Sequence, residues 1–222
     1  MSQKPISRRD FLKTAGLVAG ASTAACCGLS YAASDKAEPP VVDTPSYTFG
    51  KEASMNPKIL VAYATRTGST VGVAAAIAET LAANGAQVDV RPIQEKPGLE
   101  GYSAVILGSA VNGAQWLPEA VQYVKDNQAA LSRMPAVLFC VHIMNLGDDE
   151  ASRAKRQAYL DSVRALVRPA EEAYFAGMGM QAQDASRLER WLYKAFKVGP
   201  EGDCRDWEQI RGWAGGLKTK LG

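Results

Sequence analysis

From residue 58 onward the chain alternates between two hydrophobic periods. Short apolar, β-branched runs at 58–64, 86–92, 103–109, 135–143 and 171–178 read as strands. Between them apolar residues recur at helical spacing over 69–84, 116–131 and 150–168, with a last helix near 204–220. Strands this uniformly apolar must be covered on both faces, and regular strand–helix alternation produces a parallel sheet sandwiched by helices. The expected fold is α/β: a doubly wound, five-stranded parallel sheet in the order 2-1-3-4-5, with its ligand crevice at the carboxyl ends of strands 1 and 3. Ahead of it, residues 35–57 hold Pro39, Pro40, Pro45 and Pro57 among small polar residues with no sustained apolar period, and read as a linker. Residues 1–34 read as a targeting segment, so the expected division is 1–34, 35–57 and 58–222.

The ends of those strands carry the candidate chemistry. Strand 1 runs into Thr65, Arg66, Thr67, Gly68, Ser69 and Thr70, and an apolar helix pattern follows at once. Small hydroxyls, a glycine and free backbone N–H groups at a helix N-terminus suit an anion such as phosphate. An ordinary helix cap is the other reading of the same residues. Neither GxxxxGK[ST] nor GxGxxG is present. Strand 3 leads into Ser109, Ala110, Val111, Asn112, Gly113 and Trp116, where Gly108 and Gly113 would let backbone approach a flat ring. Trp116 either stacks on or edges that ring, or packs on the sheet. The strand 4 exit supplies His142, the only histidine, and Asn145. Strand alternation sets His142 opposite Val141, and a structural hydrogen bond is a simpler role for it than proton transfer. Asp148 and Asp149 most simply cap the next helix.

The 222 residues are 47% hydrophobic with a net charge of +2, enough for one α/β domain and without the basic excess of a nucleic-acid binder. Of four cysteines, Cys26 and Cys27 fall in the targeting segment, no CxxC occurs, and one histidine cannot build a zinc site. Neither a disulfide framework nor a metal is expected, and no side chain stands out as a catalytic acid or base.

Ser7-Arg8-Arg9-Asp10-Phe11-Leu12-Lys13, followed by an uncharged Ala- and Gly-rich stretch from Thr14 to Ser34, resembles a twin-arginine export signal. That resemblance implies the twin-arginine translocation machinery as a partner, and a periplasmic or other extracytoplasmic location. Cleavage after Ala32 or Ala33, lipidation at Cys26 or Cys27, and retention as an anchor are three open outcomes for the leader.

The string Thr65–Thr70 is similar to the flavodoxin phosphate loop, [ST]xTGxT. Together with GSAVNGAQWLPEAVQYV after strand 3, the strand FCVHIMNLGDDE and the closing GDCRDWEQIRGWA, it makes residues 58–216 resemble the flavodoxin-fold family that includes menaquinone-dependent protoporphyrinogen IX oxidase. The resemblance implies FMN, with its phosphate on Thr65 to Thr70 and its ring between the 109–116 and 142–148 loops. It further implies an FMN-dependent oxidoreductase that passes electrons from a reduced donor to a quinone or another acceptor. Export departs from that family, whose haem chemistry is normally intracellular. A flavodoxin-like electron carrier is the alternative, although such carriers tend to be strongly acidic and this chain is not. A basic amphipathic pattern over 185–197, with Leu188, Trp191, Leu192, Ala195 and Phe196 at helical spacing, either packs on the domain or meets an anionic membrane surface close to a quinone.

Overall fold

The computed structural model describes residues 42–50, 57–179, 191 and 199–221, and Val42 to the C-terminus forms one unit. The targeting segment lies outside the described residues, as does the 185–197 pattern except for Trp191, which is helical and 63% exposed. Among the described residues no helix is long and apolar enough to cross a membrane.

The strands are β1 (Tyr47–Phe49), β2 (Lys58–Ala64), β3 (Gln87–Pro92), β4 (Ala104–Asn112), β5 (Gln115–Trp116), β6 (Ala136–His142) and β7 (Glu171–Ala176). The helices are α1 (Ser69–Ala83), α2 (Pro118–Asp126), α3 (Gln128–Leu131), α4 (Glu150–Ala158), α5 (Asp161–Arg164), α6 (Trp207–Gly216) and α7 (Lys218–Leu221), with a 3₁₀ turn at Ile93–Glu95. The sheet runs β1-β3-β2-β4-β6-β7, and β5 pairs with β4 alone. From β3 to β7 every pairing is parallel, with Val61 opposite both Val90 and Ile106, and Leu107 opposite Leu138.

Strand alternation divides β2 between two cores. Ile59, Val61 and Tyr63 face α1 and α6, while Leu60, Ala62 and Ala64 face Leu117, Ala120 and Val124 of the α2 side. The centre of the sheet is thin. Gly108 lies opposite Phe139, whose ring occupies the space where a Cβ on Gly108 would stand.

Among the described residues seven strands form where five were expected, and the two additions have separate causes. The segment 35–57, expected as a linker, contributes β1, which pairs antiparallel with β3 through Tyr47↔Val90 and Phe49↔Val88. Three residues are too short for a hydrophobic period to register. Their attachment is instead polar: Thr48 Oγ1 donates to Asp89 Oδ1 at 2.7 Å, and Arg91 Nη1 donates to the Tyr47 carbonyl at 2.8 Å. Just before β1, the fully buried Tyr63 donates its hydroxyl to the Pro45 carbonyl at 2.8 Å. The second addition, β5, turns the β4 exit into a hairpin through Gly113 (φ 58°) and Ala114 (φ 61°), both left-handed as a tight two-residue turn requires. Alanine there costs about 1 kcal/mol, so the turn has no ordinary sequence signature.

Asp89 is the polar node of the β1 edge. It is 5% exposed and also receives the Tyr102 hydroxyl at 2.8 Å and Lys58 Nζ at 3.1 Å. Burial alone would push its carboxyl up, but the hydrogen bonds from Thr48, Tyr102 and Lys58, with the Lys58 charge, outweigh burial and hold it below the usual range. A depressed folded pKa contributes stability above the unfolded value of about 3.9, and that contribution disappears as pH falls through the folded value. Asp89→Asn is therefore expected to cost about 1–3 kcal/mol near neutral pH and to flatten the fall in stability below about pH 4, measured as urea midpoints across pH.

Candidate functional site

Register brings the three predicted loops to one edge. Ala64 at the end of β2 lies opposite Ser109, Ser109 opposite Cys140, and Ala110 opposite Val141. The 65–68, 112–115 and 143–149 loops therefore leave neighbouring strands at their carboxyl ends. The first of them also reaches the exit of β7. A Cβ on Gly177 would stand 3.2 Å from Ser69 Oγ and 3.6 Å from the His142 carbonyl oxygen, and Gly177 N donates to that carbonyl at 2.8 Å.

The 65–70 loop is built as an open helix start. Gly68 occupies the N-cap position of α1 with φ 86°, a left-handed conformation, and no side chain caps the helix. Thr65 Oγ1 instead accepts from Gly68 N at 3.0 Å, tying the loop to itself. Arg66 and Thr67 are exposed, Ser69 is 5% exposed and Thr70 is fully buried. Among the described residues Thr70 Oγ1 has no hydrogen-bond partner. A buried hydroxyl left unpaired costs roughly 1–3 kcal/mol, so this threonine carries a polar group that the protein alone does not satisfy. A 15-residue helix with an uncapped N-terminus, a left-handed glycine and an orphaned hydroxyl in its first turn has the donors a phosphate needs.

In the second loop Ser109 and Trp116, both named as candidates beside the ring, are buried. Ser109 is fully buried and its hydroxyl is used internally, donating to the Ala110 carbonyl at 2.8 Å and accepting from Leu117 N at 3.1 Å. Trp116 is 2% exposed, and its indole N–H donates to Cys140 Sγ at 3.0 Å inside the α2-side core. Pairing of β5 with β4 turns this ring inward, so it packs on the sheet and offers no face for stacking. Burial also pushes the Cys140 thiol up to about 12, which keeps it neutral. Ala110 and Val111 are half-buried, while Asn112 and Gly113 are exposed on the hairpin.

In the third loop His142 is 4% exposed, with Nδ1 bonded to the Met144 carbonyl at 2.8 Å and its ring 5.5 Å from that of Tyr159. A carbonyl partner places the proton on Nδ1. Burial lowers the imidazole pKa more than the Met144 bond raises it, and the Arg156 charge lowers it further, so the ring is neutral at physiological pH. Asn145 is left-handed at φ 58°, and its Nδ2 donates to the Tyr159 hydroxyl at 2.6 Å. Arg156 Nη1 donates to the carbonyls of Asn145 and Gly147, each at 2.6 Å. Asp149 caps α4 as expected, accepting from Ser152 N at 2.9 Å. Arg156 on α4 and Tyr159 at its C-terminal cap pin this loop, and nothing in their sequence spacing marks them for it. Met144 and Leu146 stay 48% and 38% exposed, and Leu146 lines a cavity of about 670 Å³ together with His142, Tyr174, Cys204 and Trp213 among others.

The fold and this edge define a doubly wound α/β protein with an uncapped helix start after its central strand. Residues 60–190 match the family model of the flavodoxin domain, and the chain belongs to that family. Residues 5–25 match the twin-arginine translocation signal. The chain is 25% identical to protoporphyrinogen IX dehydrogenase (quinone) of Escherichia coli strain K12 over 168 residues, covering 71% of this chain and 92% of that protein. Over 94 residues it is 32% identical to the protein of the same name from Leishmania major, covering 41% of each. Among solved structures, oxidised flavodoxin 1 from Bacillus cereus is 18% identical, with a TM-score of 0.41 over 63% of this chain and 97% of that one.

Thr70→Val keeps the shape of the side chain and removes the unpaired hydroxyl. The ligand-free protein is expected to gain about 1 kcal/mol, read from the urea midpoint. A loss of stability of that size would show that the hydroxyl is satisfied.

Proposed function

We propose that the chain is an exported flavin oxidoreductase that binds FMN at the 65–70 loop and passes electrons from a reduced donor to a quinone or another acceptor. The observation that carries this reading is the orphaned Thr70 hydroxyl in the first turn of an uncapped helix, behind a left-handed Gly68. The flavodoxin domain match and the likeness to quinone-dependent protoporphyrinogen IX dehydrogenases support a flavin redox protein, and the twin-arginine signal supports export across the cytoplasmic membrane.

The bound flavin would supply reversible, proton-coupled two-electron chemistry. The residues supply placement and environment. Thr65 holds Gly68 in position, and the first-turn N–H groups with the Ser69 and Thr70 hydroxyls hold the phosphate. Ala110, Val111, Asn112 and Gly113 form one wall for the ring and the His142–Asn145 loop forms the other. His142 enters as a neutral group whose bonded nitrogen orients the loop, so it serves as a positioning residue. Ser109 and Trp116 support their wall from inside. The exposed Met144 and Leu146 give the rim an apolar character suited to a quinone.

Purified protein is expected to show a flavin absorption spectrum and to take up FMN after stripping, with turnover of a menaquinone analogue by a small-molecule donor. A colourless protein that fails to quench FMN fluorescence would overturn the reading. Reduction that exchanges only with partner proteins would move it to an electron carrier. Gly68→Ala forces alanine to φ 86° and is expected to weaken FMN binding roughly five- to tenfold, measured by fluorescence titration.

A further inference from the structure

The 65–70 loop contains one basic residue, Arg66, and it is exposed. A second cation reaches the same helix start from the far end of the chain. After β7, Met178 bridges Asp203, and Cys204 N donates to the Gly177 carbonyl at 3.2 Å. These contacts lay the 202–205 segment beside Gly177, the glycine against which Ser69 packs. Arg205 follows, with Nη1 3.5 Å from the Ser69 carbonyl oxygen.

The guanidinium is fixed from several sides. Asp203 Oδ1 accepts from Arg205 Nε at 2.8 Å and from its backbone N at 3.1 Å, and Asp203 Oδ2 accepts from Nη2 at 2.7 Å. The Trp207 ring lies 4.4 Å from the guanidinium carbon, with Arg211 on the same ring at 5.9 Å. Helix α1 makes room for it, since a Cβ on Gly72 would come within 2.7 Å of Nη1. The side chain is 14% exposed, against 42% for Asp203, so the cation is the better shielded partner and lies nearer the helix.

A cation at a helix N-terminus opposes the helix dipole and is disfavoured there. The opposition is relieved when an anion binds at that end. We propose that Arg205 is the fixed cation of the phosphate cradle and sets its preference for a phosphorylated flavin over the same flavin without phosphate. Asp203 and Trp207 hold the guanidinium in place, and the glycine at position 72 admits it. This inference rests on the flavin reading above and adds a positioning residue to it.

The test compares FMN with riboflavin, which lacks the phosphate, by fluorescence titration of the full-length protein stripped of flavin. Arg205→Gln is expected to weaken FMN binding about tenfold, leave riboflavin within about twofold, and flatten the dependence of FMN affinity on salt. Asp203→Asn loosens the hold on the guanidinium and is expected to weaken FMN binding by a smaller factor, about threefold, while leaving riboflavin within about twofold. Equal weakening of both ligands in either variant would make the pair a structural clasp and overturn the proposal. Unaltered FMN affinity in Arg205→Gln would overturn it too. Asp203→Asn still decides the matter if Arg205→Gln does not fold. Failure of the underlying reading would show in the unaltered protein, as no quenching of FMN or as equal affinity for the two flavins.

Discussion

Every residue from Ile59 to Ala64 is 2% exposed or less, and this burial governs what the rest of the molecule can do. With helices on both faces of the central strand, neither face has room for a ligand. Polar chemistry is therefore displaced to the strand ends, where backbone is released from the ladder. Parallel pairing then places the ends of β2, β4 and β6 side by side, so the three exit loops share one edge. The site is a consequence of how the sheet is covered.

The loops on that edge carry local costs that the core offsets. Ala114 and Asn145 are left-handed without being glycine, and the Thr70 hydroxyl is buried unpaired. Each costs on the order of 1 kcal/mol or more and persists because packing and hydrogen bonds hold the surroundings. Arg156 clamps two carbonyls of the 143–149 loop, and the β5 pairing closes the hairpin that contains Ala114. Thr70, Ala114 and Asn145 lie on the crevice edge and Lys96, also left-handed, follows β3, while the satisfied Asp89 network serves the β1 edge.

Long apolar periods were legible in the sequence. The β2 run and the α1 pattern at 69–83 coincide with the expected elements almost residue for residue, because burial on both faces leaves no polar interruption to blur them. Elements held by polar contacts were not legible. β1 is attached through Thr48, Arg91 and Tyr63, each bonded more than fifteen positions away in sequence, and no local window can contain such pairs. The same limit hid Arg205, whose partner Ser69 is 136 positions away. Trp116 and Ser109 show a different limit, since packing on the sheet was one of two readings for Trp116 that its sequence left open. Their residue types suit a ligand loop, but the short β5 strand turned one inward and the start of α2 took up the hydroxyl of the other.

The meeting of Gly108 and Phe139 at the centre of the sheet bears on how this domain can vary. No amino acid but glycine lacks a Cβ, so position 108 has no acceptable single-step neighbour while the phenyl ring stands against it. Variation must begin at 139 with a smaller side chain, and that first step opens a void of the kind that costs several kcal/mol. The order of events is thus forced, through a less stable intermediate sequence. Two residues that carry no chemistry form one packing unit.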